Sequence, residues 1–329
     1  MKNEWYFMQL RPNDRAGESA VAKNFNRESK SATSIFFKEY IQNVLDARCD
    51  DPSKKGQKLP AHIAVSLKEL SAIDELYLEE ITNPLAKHLA GAGHPPKSGD
   101  WEKHPLLVIE EFGTVGLTGN TDHSQTHKES DRWNNFWFGE ALPGLKGIGA
   151  NGGRGQGKIT YHMTSGCRSV FALTKRNGDP KNYVFGKCIV QKTHSISSGQ
   201  ELYDNHGFWP KTKNIGNDKQ SLPETDKDFV RDFKTAFDLK RKDEPGTSWV
   251  IPFVPPQITK DEIVCCFLID FFTTIMRNRL TLDICGEIIN SKNVRQLVNK
   301  YGIDSPSQDF FTFMEKATNT PKSSLIDIY

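Results

Sequence analysis

The chain has 329 residues, 36% hydrophobic and 26% charged, a balance that suits a soluble protein with a real core and excludes a disordered or fibrous one. Its 43 lysines and arginines nearly cancel 41 aspartates and glutamates, and the net charge of +2 gives no global field for nucleic acid or an anionic membrane. The best apolar run, Ile263 to Met276, is interrupted by Asp270 and falls short of the roughly 18 residues of a membrane span. The start, MKNEWYFMQLRPNDR, lacks the apolar segment of a secretory signal, so a cytoplasmic location without a membrane partner is expected. Cys49, Cys167, Cys188, Cys265, Cys266 and Cys285 lack zinc or disulfide spacing and read as reduced, packed thiols.

Residues 1–30 are polar with little periodicity and read as an N-terminal arm, able to lie on a partner as readily as on its own domain. Ser34 opens a helix to about Arg48, with Ser31 and Thr33 as other possible caps. HIAVSL alternates like a strand, and ELSAIDELYLEEITNPLAKHLAG reads as helix until Pro84 bends or ends it. HPLLVIEEFG is a short buried strand, followed from Gly113 to Gly157 by a glycine- and aromatic-rich stretch of weak periodicity, long enough to be functional or disordered.

A helix is expected from about Gly155 to Ser165, strands near Ser169 to Lys175 and Tyr183 to Gln191, then a polar insertion and a helix over DKDFVRDFKTAFDL. SWVIPFV is a further strand. Beyond the Pro255-Pro256 pair, the best internal boundary, Lys260 to Arg277 reads as one long helix and Leu280 to Asn290 as one or two strands.

Four local features carry chemistry. In EYIQNVLDA, Glu39, Asn43 and Asp46 are spaced by four and then three positions, which puts them on one face of a helix whose other faces are largely apolar. Such a stripe suits a cavity or a cation; it also suits a solvated outer face. EEFGTVGLTG follows the LLVI strand and combines an acid with glycines that let backbone approach a ligand, or simply forms a strand-to-turn exit.

GGRGQGK, Gly152 to Lys158, lies at a helix entry that offers free N–H groups to phosphate, and a flexible surface loop is the alternative. It is neither a Walker loop, because Ile159 follows the lysine, nor a dinucleotide fingerprint. Gly246-Thr247 before SWVIPFV is, alone, a turn.

Taken in order, Glu-x-x-x-Asn-x-x-Asp-Ala, acid-x-Gly after a strand, a glycine-rich loop and Gly-Thr before a strand resemble the GHKL ATPases: gyrase, the ninety-kilodalton chaperones, histidine kinases and MutL. MORC ATPases are close relatives. The resemblance spans roughly residues 30 to 255 as ordered motifs. It implies an α/β two-layer sandwich, a mixed sheet with helices on one face, with ATP and Mg2+ bound between helices and lid. The domains expected are the arm, an ATP-binding domain over 31–255, and a helix-strand extension over 256–329.

By resemblance Glu39 is the general base and Asn43 the magnesium ligand, while Asp46 and Ala47 support the site. Glu111 stands where the family reads adenine with an aspartate. Gly113, Gly116 and Leu117 line the base. Gly152, Gly153, Arg154, Gly155, Gln156 and Gly157 wrap the phosphates, Lys158 points toward phosphate or solvent, and Thr247 contacts the adenine side. The departure is the pair Glu110 and Glu111, which brings an extra methylene to the base-reading position.

No phosphoacceptor helix pair precedes the asparagine helix, which argues against a protein kinase. The implied activity is slow ATP hydrolysis coupled to lid closure and homodimerisation. An effector protein or DNA is the expected further partner, in a bacterial DNA-related or antiphage defence setting. A chaperone-like ATPase and an ATP-sensing scaffold subunit without turnover are the alternatives.

Overall fold

The computed structural model describes residues 4–11, 13–14, 32–94, 104–122, 128, 130–139, 157–196, 201–216, 218–303, 309–313 and 316–317. Among them, eleven strands alternate with helices. They are β1 (Tyr6–Gln9), α1 (Ala32–Asp46), β2 (Ala61–Lys68), α2 (Glu75–Thr82), α3 (Ala86–Gly91), β3 (Leu106–Phe112) and α4 (Arg132–Trp137). Next come α5 (Gly157–Thr164), β4 (Ser169–Lys175), β5 (Asn182–Ile189), β6 (Tyr203–Trp209), β7 (Lys211–Ile215) and β8 (Asp218–Leu222). The order closes with α6 (Lys227–Ala236), β9 (Gly246–Ile251), α7 (Lys260–Asp270), α8 (Phe272–Met276), β10 (Leu280–Ile284), β11 (Glu287–Ile289) and α9 (Val294–Lys300).

Nine strands form one sheet in the order β1-β6-β5-β4-β9-β3-β2-β10-β11, and β7 and β8 form a separate hairpin. The sheet is mixed: β2 pairs in parallel with β10, and the other ladders are antiparallel. The α/β class and mixed sheet expected from the sequence are therefore present. The central strands β3, β4 and β9 are buried along almost their whole length, which requires cover on both faces.

On one face Ile63, Leu107, Ile109, Ala172, Trp249 and Leu282 meet apolar residues of α1, α4, α5, α7, α8 and α9. On the reverse face Leu106, Val108, Phe171, Leu173 and Val250 meet α2, α3 and α6. Helices thus lie on the second face as well as the expected one, because alternation along each strand sends equally apolar residues both ways.

Several boundaries differ from the sequence reading for local reasons. The helix expected over Lys260 to Arg277 breaks at Phe271, whose φ of −125° leaves the helical region, giving α7 and α8. Residues 6–9 form the edge strand of the chain's own sheet, and the Trp5 indole N–H donates to the Ile81 carbonyl at 2.6 Å. The polar insertion after β5 contributes β6 to the main sheet and β7 and β8 to the hairpin. Beyond Pro255-Pro256, β10 joins the same sheet beside β2, and α7 packs on α1 through Phe37 and Phe267, 5.2 Å between ring centroids. Lys38 and Asp270 pair across that contact at 2.8 Å.

Candidate functional site

α1 presents two faces to different surroundings. Phe36, Phe37, Tyr40, Ile41 and Val44 are buried against the sheet, while Asn43 and Asp46 are exposed and Glu39 is half-buried. The stripe is therefore not wholly in solvent. Tyr161 of α5, buried, exchanges a hydrogen bond with Asn43 and feels the charges of Glu111 and Glu39; burial, first of all, raises its pKa. Tyr161 thereby contacts the stripe and lies within electrostatic reach of Glu111 on β3.

The end of α1 is tied to the turn after β3. The Ala47 carbonyl accepts from Val115 N at 2.8 Å, Cys49 N donates to the Gly113 carbonyl at 2.9 Å, and Arg132 Nη2 donates to the Asp46 carbonyl at 2.7 Å. The turn itself needs its glycines. Gly113 has φ +77°, and a Cβ there would lie 2.7 Å from the Pro60 carbonyl oxygen; Gly116 has φ +71°, with a Cβ 2.6 Å from the Lys175 carbonyl oxygen. Leu117 N donates to Thr174 Oγ1 at 2.9 Å, which fixes the turn against β4.

Glu111 is 6% exposed and lies on the sheet face that carries α1. Thr114 Oγ1 donates to its Oε1 at 3.2 Å, and Tyr40 and Thr247 stand within hydrogen-bonding reach of the same carboxyl. Burial raises the Glu111 pKa, while Arg241 and the three hydroxyls oppose the rise. Thr247 in turn shares a 3.1 Å hydrogen bond with Thr174. The longer acid is thus accommodated by hydroxyls at its end.

Glu110 points to the reverse face and is satisfied there. Lys240 N and Arg241 N donate to it at 2.8 and 3.1 Å, and Ser248 Oγ at 2.8 Å. The Arg241 side chain, 2% exposed, donates from Nη2 to the Glu111 carbonyl at 2.5 Å and from Nε to Ser248 Oγ at 2.9 Å. Its guanidinium also lies 4.6 Å from the centre of the Phe112 ring. Gly246 makes this clamp possible: at φ +139°, a Cβ there would lie 2.0 Å from the Glu111 carbonyl oxygen.

The structure accordingly brings Glu39, Asn43, Ala47, Glu111, Gly113, Gly116, Leu117 and Thr247 to one region of one face. Asp46 meets that region through its backbone carbonyl, its side chain being exposed. Gly157 opens α5, which packs beside α1, and Lys158 Nζ donates to the Gly139 carbonyl at 3.0 Å. Gly152, Gly153, Arg154, Gly155 and Gln156 lie outside the described residues.

Sequence reasoning did not single out Tyr40, Thr114, Tyr161, Thr174 or Arg241. Tyrosines inside an otherwise apolar helix face were the available signal for two of them, since a buried phenol needs a partner. The stretch after Gly113, read as loop, includes α4, where Trp133 and Trp137 are both buried and Asp131 caps the first turn through Asn134 N. Tryptophans four apart after an aspartate are the signal for that helix.

No protein-family model matches the sequence. No curated protein matches it either. Among solved structures, the chain is similar to the ATPase region of Saccharomyces cerevisiae topoisomerase II bound to ICRF-187 (dexrazoxane). That similarity has 12% identity over 82% of this chain and 52% of the other, with a TM-score of 0.34. A second structure of the same ATPase region has 11% identity over 82% and 53%, with a TM-score of 0.35. The chain spans about half the length of those structures. Similarity at this level is no basis for assigning an activity.

Proposed function

We propose that the chain binds ATP with Mg2+ in the manner of a GHKL ATPase and hydrolyses it slowly. The observation that carries this reading is convergence. Glu111, Thr247 and the Glu39/Asn43 stripe come from β3, β9 and α1; Thr174 bonds Thr247, and the buried Tyr40 and Tyr161 lie within electrostatic reach of Glu111, so that polar groups form a track across an otherwise aromatic and aliphatic face. A buried polar track of this length is costly in a core that serves packing alone.

The residues fit the groups proposed. Glu111 and Thr247, at the deep end, offer hydrogen-bonding partners to a purine edge. Asn43, at the exposed end, suits a magnesium ion that keeps waters and phosphate oxygens as its other ligands. Among the described residues no three His, Cys, Asp or Glu side chains converge to hold a metal by themselves. Bound magnesium neutralises phosphate charge. Glu39, one helical turn before Asn43, orients water and takes its proton.

In this reading nucleotide binding promotes closure and homodimerisation, β10 and β11 extend the ATP-binding domain at the β2 side of its sheet, and an effector protein or DNA receives the signal. The defence setting follows from the motif resemblance. The test is Mg2+-dependent ATP turnover by the full chain and by Glu39→Ala. Loss of turnover with retained nucleotide binding supports the assignment, and equal turnover by the variant removes it.

A further inference from the structure

The hairpin of β7 and β8, part of the polar insertion of the sequence, turns Lys213, Asn214, Ile215, Asp218 and Lys219 to solvent. Gln220 does the opposite. It is 4% exposed, and its Nε2 donates to Oδ1 of Asp122, in the segment that follows the glycine turn after β3. A buried side-chain amide is costly unless bonded, so this contact fixes where the two segments meet. The hairpin is itself anchored. Lys211 pairs with Glu224 at 2.9 Å, and Glu224 exchanges two backbone hydrogen bonds with Val184 of β5, each at 2.9 Å.

From Asp122 a run of hydrogen bonds leads back to the turn. Asp122 N donates to Asn120 Oδ1 at 3.0 Å and Asn120 N to Asp131 Oδ2 at 2.9 Å, while Asp131 Oδ1 caps α4 through Asn134 N at 2.9 Å. Trp133 N then donates to the Thr118 carbonyl at 2.8 Å, and Thr118 N to the Gly116 carbonyl at 3.0 Å. Gly119, at φ +112°, admits the Asp131 carboxyl, since a Cβ there would lie 2.0 Å from Oδ1. We propose that Gln220 is a positioning residue for the nucleotide site: through Asp122, Asn120 and Asp131 it holds the turn at Gly116 and Leu117 in the conformation that receives the purine end. This rests on the nucleotide reading above and gives the insertion a part in it. Gln220 lies outside the proposed nucleotide contacts, so it acts on affinity and not on the groups that orient water.

The experiment compares the wild-type full chain with Gln220→Ala, Asp122→Ala, the double variant and Asp122→Asn. Calorimetric titration with a non-hydrolysable ATP analogue in Mg2+ gives Kd, and steady-state turnover of ATP gives KM and kcat. Each alanine variant should raise Kd and KM roughly three- to tenfold, as for one hydrogen bond, with kcat unchanged. The double variant should lose no more than either single one, because both break the same link. Asp122→Asn keeps an accepting oxygen and should recover most of the loss. Lower resistance to urea with unchanged Kd in both alanine variants makes the contact purely structural and overturns the role of Gln220, leaving the nucleotide site standing. A loss in the double variant equal to the product of the two single losses overturns it as well. A folded wild-type chain that binds no analogue overturns both. Where Gln220→Ala folds poorly, Asp122→Ala against Asp122→Asn decides.

Discussion

Replacing Gly246 by alanine sets a methyl group 2.0 Å from the Glu111 carbonyl oxygen and 2.9 Å from Arg241 Nη1, at a backbone φ of +139°. Neither neighbour can yield cheaply: the oxygen belongs to the backbone of central strand β3, and the guanidinium is clamped by Ser248 and the Glu244 carbonyl, each at 2.9 Å. Two costs result. The residue's own conformation costs about 1 to 3 kcal/mol, and loosening the charged hydrogen bond from Arg241 to the Glu111 carbonyl costs about 1.5 to 3 kcal/mol.

The comparison is Gly178→Ala, at φ +77° with nothing within 4 Å, which carries backbone strain alone, about 1 to 2 kcal/mol. Urea denaturation of the wild type and both variants measures the difference. Gly246→Ala should be the more destabilised by at least about 1.5 kcal/mol, the low end of the charged hydrogen bond, and should bind nucleotide more weakly because Glu111 moves. Equal destabilisation of the two variants would refute the reasoning that the Gly-Thr motif exists to seat β9 against Glu111.

Arg241→Met removes the buried guanidinium that donates to Ser248 Oγ and to the Glu244 and Glu111 carbonyls, and should cost at least about 1.5 to 3 kcal/mol in the same denaturation assay; a change under about 1 kcal/mol contradicts the clamp. Burial raises the Glu111 pKa, so its protonated form suits the fold and its stabilising contribution fades as pH rises through the shifted value. The stability of Glu111→Gln relative to wild type should therefore increase from pH 4 to pH 8, and a flat difference refutes the burial argument.

His88 behaves in the opposite sense. Burial and the neighbouring His194, 2.8 Å away, push its pKa down to about 3, so it stays neutral when folded while the unfolded chain takes up a proton near pH 6.5. The wild type should lose up to about 1.4 kcal/mol per pH unit from this group as pH falls below about 6.5, and His88→Gln should flatten that part of the curve.

Local pattern made the helix stripe, the acid-x-Gly turn and the Gly-Thr entry legible, because each is a short stretch whose spacing alone sets its geometry. Glu39 and Asn43 lie one turn apart in any helix, and Gly113 needs a positive φ wherever its turn packs. The clamp was hidden because Arg241 meets Glu111 across a separation of 130 residues, and no local rule pairs them. The same is true of β1, which pairs with β6, and of the second helical layer, which is apparent only once alternating residues of β3 and β4 are known to be buried on both sides. Tyr40 belongs to the buried face of α1, but its hydroxyl makes it more than one more apolar position there.

The central claim is tested most directly by calorimetric titration of the full chain with a non-hydrolysable ATP analogue and Mg2+. The account predicts saturable binding of one nucleotide per chain, weakened at least about tenfold in folded Glu111→Ala, as expected when a buried purine contact is left unpaired. A folded wild-type chain that takes up no analogue, or one whose affinity is unchanged by Glu111→Ala, contradicts it.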